Sequence, residues 1–307
     1  MTTSRLSRLV SVEHLRKTFG PKVAVEDVTF EVYPGEVFGL LGPNGAGKTT
    51  TIRMILDIFK PDSGSIEVLG GVLTPTTKDR VGYMPEERGL YPYMRVLDCL
   101  VYLGTLKGIS RPEARERAQI YLERLELADQ AREKIENLSR GMTQKVQVIA
   151  AVLHTPDLLI IDEPFANLDP VNAQLVREII LDLRNQGKSV IMTSHQLALV
   201  EALCDRIAMI NQGRVVLQGS VADVRRQFAT NILYIKGSGT LDNLPGVTHI
   251  EQRTASHWYL TLTPDTDSNT VLQAIVARGG FTIDSFEVAL PTLDEIFVQV
   301  VREGTTP

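Results

Sequence analysis

Apolar and polar residues alternate in short stretches at the start of the chain. Leu9-Val10-Ser11-Val12 and Val28-Thr29-Phe30-Glu31-Val32 have the two-residue period of half-buried strands, and Pro34-Gly35 makes a turn after them. Val37 to Leu41 is a short, mostly apolar run that opens directly into a glycine-rich loop, and Thr49 to Phe59 has helical character. From about residue 95 to 137 the period becomes mainly helical and charges are frequent. Ser110-Arg111-Pro112-Glu113 predicts a helix start, with Ser110 and Glu113 forming a capping box and proline tolerated in the first turn. Leu158–Ile161 and Ser189–Met192 read as buried strands. Between them Asp169-Pro170 begins a helix that runs to about Asn185 and is ended by Gly187. Strands alternating with helices predict an α/β fold, with a largely parallel sheet covered on both faces.

After about Gln227 the pattern changes. Ile232–Ile235, Val247–Glu251, Trp258–Thr263 and Phe281–Val288 read as strands, with helices near Asn269–Ala277 and Leu293–Arg302. That is a separate small α+β unit, with the boundary expected near 225–232. Trp258 and Tyr259 hint at a ligand pocket, but their strand spacing favours core or interface.

Composition adds limits. The 307 residues are 43% hydrophobic and 22% charged, enough for a large core and a second, smaller one. A formal net charge of -5 gives no footprint for nucleic acid, so none is expected as a partner. Cys99 and Cys204 form no CxxC pair and read as small buried hydrophobes of a reducing compartment. No stretch approaches the roughly 18 apolar residues of a membrane span. A soluble, cytoplasmic chain is therefore expected, with any membrane part supplied by another chain.

The chemistry begins at Gly42-Pro43-Asn44-Gly45-Ala46-Gly47-Lys48-Thr49-Thr50, which fits the phosphate-loop pattern GxxxxGK[ST]. Glycines let the backbone curl so that several N–H groups face one anion, and the following helix adds its positive end. Lys48 is expected to reach the β- and γ-phosphates and Thr49 to ligate Mg²⁺. A second motif, Leu158-Leu-Ile-Ile-Asp162-Glu163-Pro164, is a buried strand ending in two acids, where α/β sheets bind ligands. Asp162 suits Mg²⁺ through its water shell, and Glu163 suits the general base that activates water.

The third piece is Leu138-Ser139-Arg140-Gly141-Met142-Thr143-Gln144-Lys145, which resembles the LSGGQ signature of ABC ATPases. The resemblance covers residues 8 to about 225, with its motifs in the family's order. It implies a P-loop NTPase of the ABC ATPase type, spanning 8–227, with a helical subdomain at about 87–145 and a C-terminal accessory α+β domain at 230–303. It implies ATP and Mg²⁺ as cofactors, and it makes Phe19 the aromatic that stacks on adenine. Asn167-Leu168-Asp169 resembles the D-loop, and His195 the switch histidine that contacts the γ-phosphate. Ser139 and Gly141 would face the nucleotide of a second copy, so that two chains sandwich two ATPs as a homodimer.

Two motifs depart from the family pattern. Arg140 and Met142 replace a glycine and the glutamine of the signature. In Gly82-Tyr83-Met84-Pro85-Glu86 the family usually has a glutamine that touches Mg²⁺ and water, and here Glu86 stands in. The tail Pro291-Thr-Leu-Asp-Glu-Ile-Phe297 resembles the extra domain of cassettes that pair with separate ABC-2-like permeases in drug or sodium efflux. The resemblance thus implies an ATPase held on the cytoplasmic face of the membrane by a permease, with the 87–137 segment meeting it. Two other readings stand beside it: a soluble ABC ATPase acting on nucleic acid or ribosomes, and a nucleotide-gated regulator without turnover.

Overall fold

The alternating start of the chain forms two long strands, β1 (Val10–Phe19) and β2 (Lys22–Val32), paired as an antiparallel hairpin that places Phe19 opposite Lys22. Both are longer than the expected strands. Bulges between Val12 and Leu15, and again up to Thr18, break the two-residue period, so the alternation fades from the sequence while the pairing continues. The computed structural model describes residues 8–86, 89–229 and 231–303; residues 87, 88 and 230, where expected domain segments begin, lie outside them.

β3 (Val37–Leu41), β4 (Ser63–Val68), β5 (Val81–Met84), β6 (Leu158–Asp162), β7 (Ser189–Thr193), β8 (Arg206–Asn211) and β9 (Arg214–Ser220) complete a nine-stranded sheet. Its order is β4-β1-β2-β9-β8-β3-β7-β6-β5. Parallel pairing holds from β8 through β3, β7 and β6 to β5, whereas β4-β1-β2 and β8-β9 are antiparallel. β2 also meets β9 in parallel, so the largely parallel sheet expected is present but interrupted by antiparallel pairs, which makes it a mixed one. Every residue of β3, β6 and β7 is buried, as unbroken apolar runs predict for strands covered on both faces.

Helix α1 (Lys48–Ile55) packs Ile52, Met54 and Ile55 into the core made by the strands. It stops short of the expected Phe59 because Asp57 turns left-handed, with φ +58°. A single-turn α2 (Pro75–Lys78) follows β4. Helices α3 (Val96–Leu106), α4 (Arg111–Arg124) and α5 (Arg140–Val152) pack on one another, and α5 also packs on β5. The expected subdomain end near 145 thus falls inside a continuous helix. Ser110 Oγ accepts from Glu113 N–H at 3.4 Å, but the Glu113 carboxylate pairs with Arg117, so only half of the capping box forms. α6 (Pro170–Asn185) keeps its expected bounds, with the Asp169 carboxylate capping Val171 and Asn172. α7 (Leu197–Leu203) and α8 (Val221–Gln227) follow. Cys99 and Cys204 are both buried thiols.

The chain divides into two compact units at Val221/Ala222, a few residues before the expected boundary. In the second unit β10 (Ile232–Gly239), β11 (Val247–Thr254), β12 (His257–Leu262) and β13 (Phe281–Val288) form an antiparallel sheet in the order β11-β12-β10-β13. Leu233, Ile235, Trp258 and Leu260 pack against Val271 and Ile275 of α9 (Ser268–Arg278). A final helix, α10 (Leu293–Glu303), is strongly amphipathic. Trp258 is core, while Tyr259 is half-buried, 5.3 Å from Tyr234 and 4.1 Å from the Arg253 guanidinium.

Candidate functional site

β3 leads into the loop at Gly42, whose φ is +145°; a Cβ there would lie 2.1 Å from the Ile210 carbonyl oxygen of β8. Gly47, at φ +112°, is as constrained, since its Cβ would lie 2.6 Å from Ala24 O of β2. Only glycine fits where the loop is pressed between two strands. The loop closes on α1, where Thr51 Oγ1 donates to Gly47 O at 2.9 Å. Lys48 Nζ donates to Gly42 O at 2.8 Å and to Pro43 O at 3.2 Å, which uses two of its three protons and leaves the third for a ligand. Burial lowers the Lys48 pKa, opposed by the nearby carboxylates of Glu163, Asp162 and Glu86.

These groups open on a cleft of about 290 Å³. Asn44, Gly45, Gly47, Lys48, Thr49 and Thr50 line one side, and Asp162, Glu163 and Glu86 line it with Lys22 and Ala24. Gly42 and Pro43 act through their carbonyls behind Lys48. Ala46 is buried beneath the loop, and its carbonyl accepts from Gly213 N–H at 2.9 Å.

The two acids sit at the end of β6, beside the end of β7, with Asp162 opposite Thr193. Thr193 Oγ1 donates to Asp162 Oδ1, while Asp162 Oδ2 is buried with no partner. Glu163 is left-handed, with φ +54°, a conformation that costs a non-glycine residue on the order of 1–3 kcal/mol and is kept where its surroundings enforce it. Its N–H donates to Thr193 Oγ1 at 3.0 Å, and its carbonyl accepts from Gln144 Nε2 at 2.8 Å. Its carboxylate lies 2.8 Å from His195 Nδ1. Burial pushes the Glu163 carboxyl up from the usual carboxylate range, with His195 and Lys48 pulling the other way. A buried acid with a raised pKa beside an anion loop is suited to taking a proton from a water held there.

His195 stands outside the cleft wall and meets it through Glu163, and Phe19, Ser139 and Gly141 stand outside it as well. Phe19 is 43% exposed and packs edge-on against Phe59 at 5.4 Å. Ser139 caps α5, its Oγ accepting from Met142 N–H at 3.2 Å. A Cβ on Gly141 would lie 3.0 Å from Asn167 O, so the start of α5 abuts the loop after β6. The sequence reading missed Thr193, Gln144, Lys22 and Ala24. Thr193 carried a signal, since it ends the strand that precedes His195. The others become neighbours only through the fold.

A glycine-bound anion loop, a cation from the first helix and an acid pair on the adjoining strand define a nucleoside triphosphatase of the phosphate-loop class. Residues 25–166 match the ABC transporter family, and residues 219–301 match the family described as ATP-binding protein DrrA1-3-like, C-terminal domain. Over 295 residues the chain is 39% identical to the uncharacterized ABC transporter ATP-binding protein YhaQ of Bacillus subtilis (strain 168), spanning 95% of this chain and 98% of that protein. It is 40% identical over 219 residues to the linearmycin resistance ATP-binding protein LnrL of the same organism, spanning 70% of each. A solved structure of the ATP binding subunit of an ABC transporter aligns with TM-score 0.68 and 34% identity, over 72% of this chain and 93% of that one. The chain belongs to the ABC transporter family, as an ATP-binding protein with a DrrA-like C-terminal domain, and it is an ATPase.

Proposed function

We propose that the protein hydrolyses ATP to energise a membrane exporter, and that its competent state is a homodimer closed around two nucleotides. The observation that carries the reading is the Asp162–Glu163 pair, buried at the end of β6 in the same cleft as Lys48. Lys48 neutralises charge at the β- and γ-phosphates. Glu163 accepts the proton of the attacking water, and His195 holds the Glu163 carboxylate while facing the γ-phosphate.

The residues present suit Mg²⁺. The buried, unpartnered Oδ2 of Asp162 needs a cation or its water shell, Thr49 adds a hydroxyl in the same cleft, and Glu86 adds a carboxylate. Among the described residues no group of three His, Cys, Asp or Glu could hold an ion by itself, in keeping with a cation held by one or two carboxylates plus substrate phosphates. Held there by Asp162, Thr49 and Glu86, Mg²⁺ would supply positive charge to offset that of the phosphates. Phe19, exposed at the tip of the β1–β2 hairpin, is offered to the adenine ring.

Ser139 and Gly141 sit at the N-terminus of α5, outside the cleft of their own chain. A hydroxyl, a glycine N–H and a helix start favour an anion, which supports their meeting the γ-phosphate held by a second copy. Among the described residues no helix is long and apolar enough to cross a membrane, and attachment to the cytoplasmic face is assigned to an integral permease chain. The resistance role in the name of LnrL supports outward transport.

Purification from membranes tests this directly. Recovery with an integral permease supports the exporter subunit. Recovery only with ribosomes or nucleic acid would sink it. For the dimer, size exclusion of Glu163→Gln with Mg-ATP should give a dimer, and monomers throughout would count against the sandwich.

A further inference from the structure

We propose that Gln144 and Thr193 are positioning residues for hydrolysis, gripping the two ends of the Glu163 backbone so that its carboxylate is held in place. This rests on the reading of Glu163 as the general base. Glu163 sits in a left-handed conformation that a glutamate adopts only under constraint, and two side chains from different elements supply that constraint. Thr193, at the end of β7, takes the Glu163 N–H at 3.0 Å. Gln144, on α5, donates to the Glu163 carbonyl at 2.8 Å and is 5% exposed, so water cannot replace it cheaply.

The same carbonyl also accepts Ala166 N–H at 3.2 Å. Removing the Gln144 amide therefore leaves no orphaned carbonyl. It removes only the tie between α5 and the base, which makes the expected effect one of placement rather than of folding. Gly141 lies one turn before Gln144 on the same helix. The helix proposed to meet the nucleotide of a second copy thus carries the grip on its own chain's base. Thr193 also donates to Asp162 Oδ1, so one hydroxyl sets both acids, while Gln144 acts on Glu163 alone.

The test compares Mg-ATP hydrolysis by the full chain and by Gln144→Met, Thr193→Val, Thr193→Ser and Glu163→Gln, with nucleotide affinity measured using a fluorescent ATP analogue. Misplacing a base by about 1 Å costs up to about 100-fold, so kcat of Gln144→Met should fall about 10- to 100-fold with KM and affinity within about twofold. Thr193→Val should fall likewise and shift the Mg²⁺ requirement as well, because it also frees Asp162, and Thr193→Ser should recover most of both losses, while the Mg²⁺ requirement of Gln144→Met should stay put. In the Glu163→Gln background, Gln144→Met should cost nothing further.

Unchanged kcat in Gln144→Met overturns the proposal, as does a loss of affinity in step with kcat. Should Gln144→Met fail to fold, the Thr193 pair decides: loss in valine with recovery in serine supports the grip. Equal behaviour of the two, or a shifted Mg²⁺ requirement alone, overturns it. Full turnover in Glu163→Gln would instead remove the base assignment itself, whatever Gln144 does.

Discussion

In the unit ending at Val221, the side chains of Lys48, Gln144, Asp162 and Glu163 are buried close to one another around the ends of β3 and β6. In the unit beginning at Ala222, no charged or amide residue is buried among the described residues. Its core is Leu233, Ile235, Trp258 and Leu260 against α9, and its ion pairs, such as Arg253–Glu251 and Arg278–Asp242, lie at the surface. Burying a charge costs several kcal/mol unless it is paired, so a fold that keeps an unpaired carboxylate oxygen inside does so for something other than stability. The contrast places the chemistry in the first unit and gives the second a structural core of ordinary kind.

The largest effect expected on that division is from Lys48→Ala, which should lower ATP turnover by about 1000-fold or more, read as phosphate release. Near-normal release would mean that the cleft is not the site. Trp258→Ala should do the reverse. Deleting a buried ring costs about 3–5 kcal/mol, so the C-terminal unit should melt early while turnover stays within about twofold. A collapse of turnover in that variant would erase the separation.

Smaller effects follow from pKa. As the proposed general base Glu163 would work only when ionised, and burial raises its pKa above the ordinary 4.5. Turnover should therefore fall about tenfold per pH unit on an acid limb displaced upward from that value. Lys48, lowered from 10.5 by burial, adds an alkaline limb displaced downward. A rate flat down to pH 4.5 would contradict the first. Stability runs the other way. A raised folded pKa means the fold favours the protonated carboxyl, a contribution present below the unfolded pKa and lost as pH rises through the folded one. At neutral pH the ionised Glu163 costs stability, and Glu163→Gln should melt higher. An unchanged or lower melting point would show that His195 and Lys48 more than offset the burial.

Much of the first unit could be read from residues alone. The phosphate loop, the acid-tipped strand and the helix capped by Asp169 are local patterns, each set by neighbours a few positions apart. What could not be read depends on register. Thr193 reaches both acids only because β7 pairs with β6 so that it lies opposite Asp162. Gln144 reaches Glu163 across 19 positions of sequence, by the packing of α5. The left-handed turn at Glu163 had no glycine to announce it. In the second unit the strand and helix order was legible, helped by the regular alternation of β10 and β12 over one core face.

The most direct test of the account is single-turnover hydrolysis by Glu163→Gln with ATP binding measured on the same sample. The account predicts hydrolysis slowed by about 100- to 10,000-fold, the range for a general base, with ATP affinity within about twofold of the unchanged chain. Hydrolysis at the normal rate, or loss of rate only in proportion to lost binding, would contradict it.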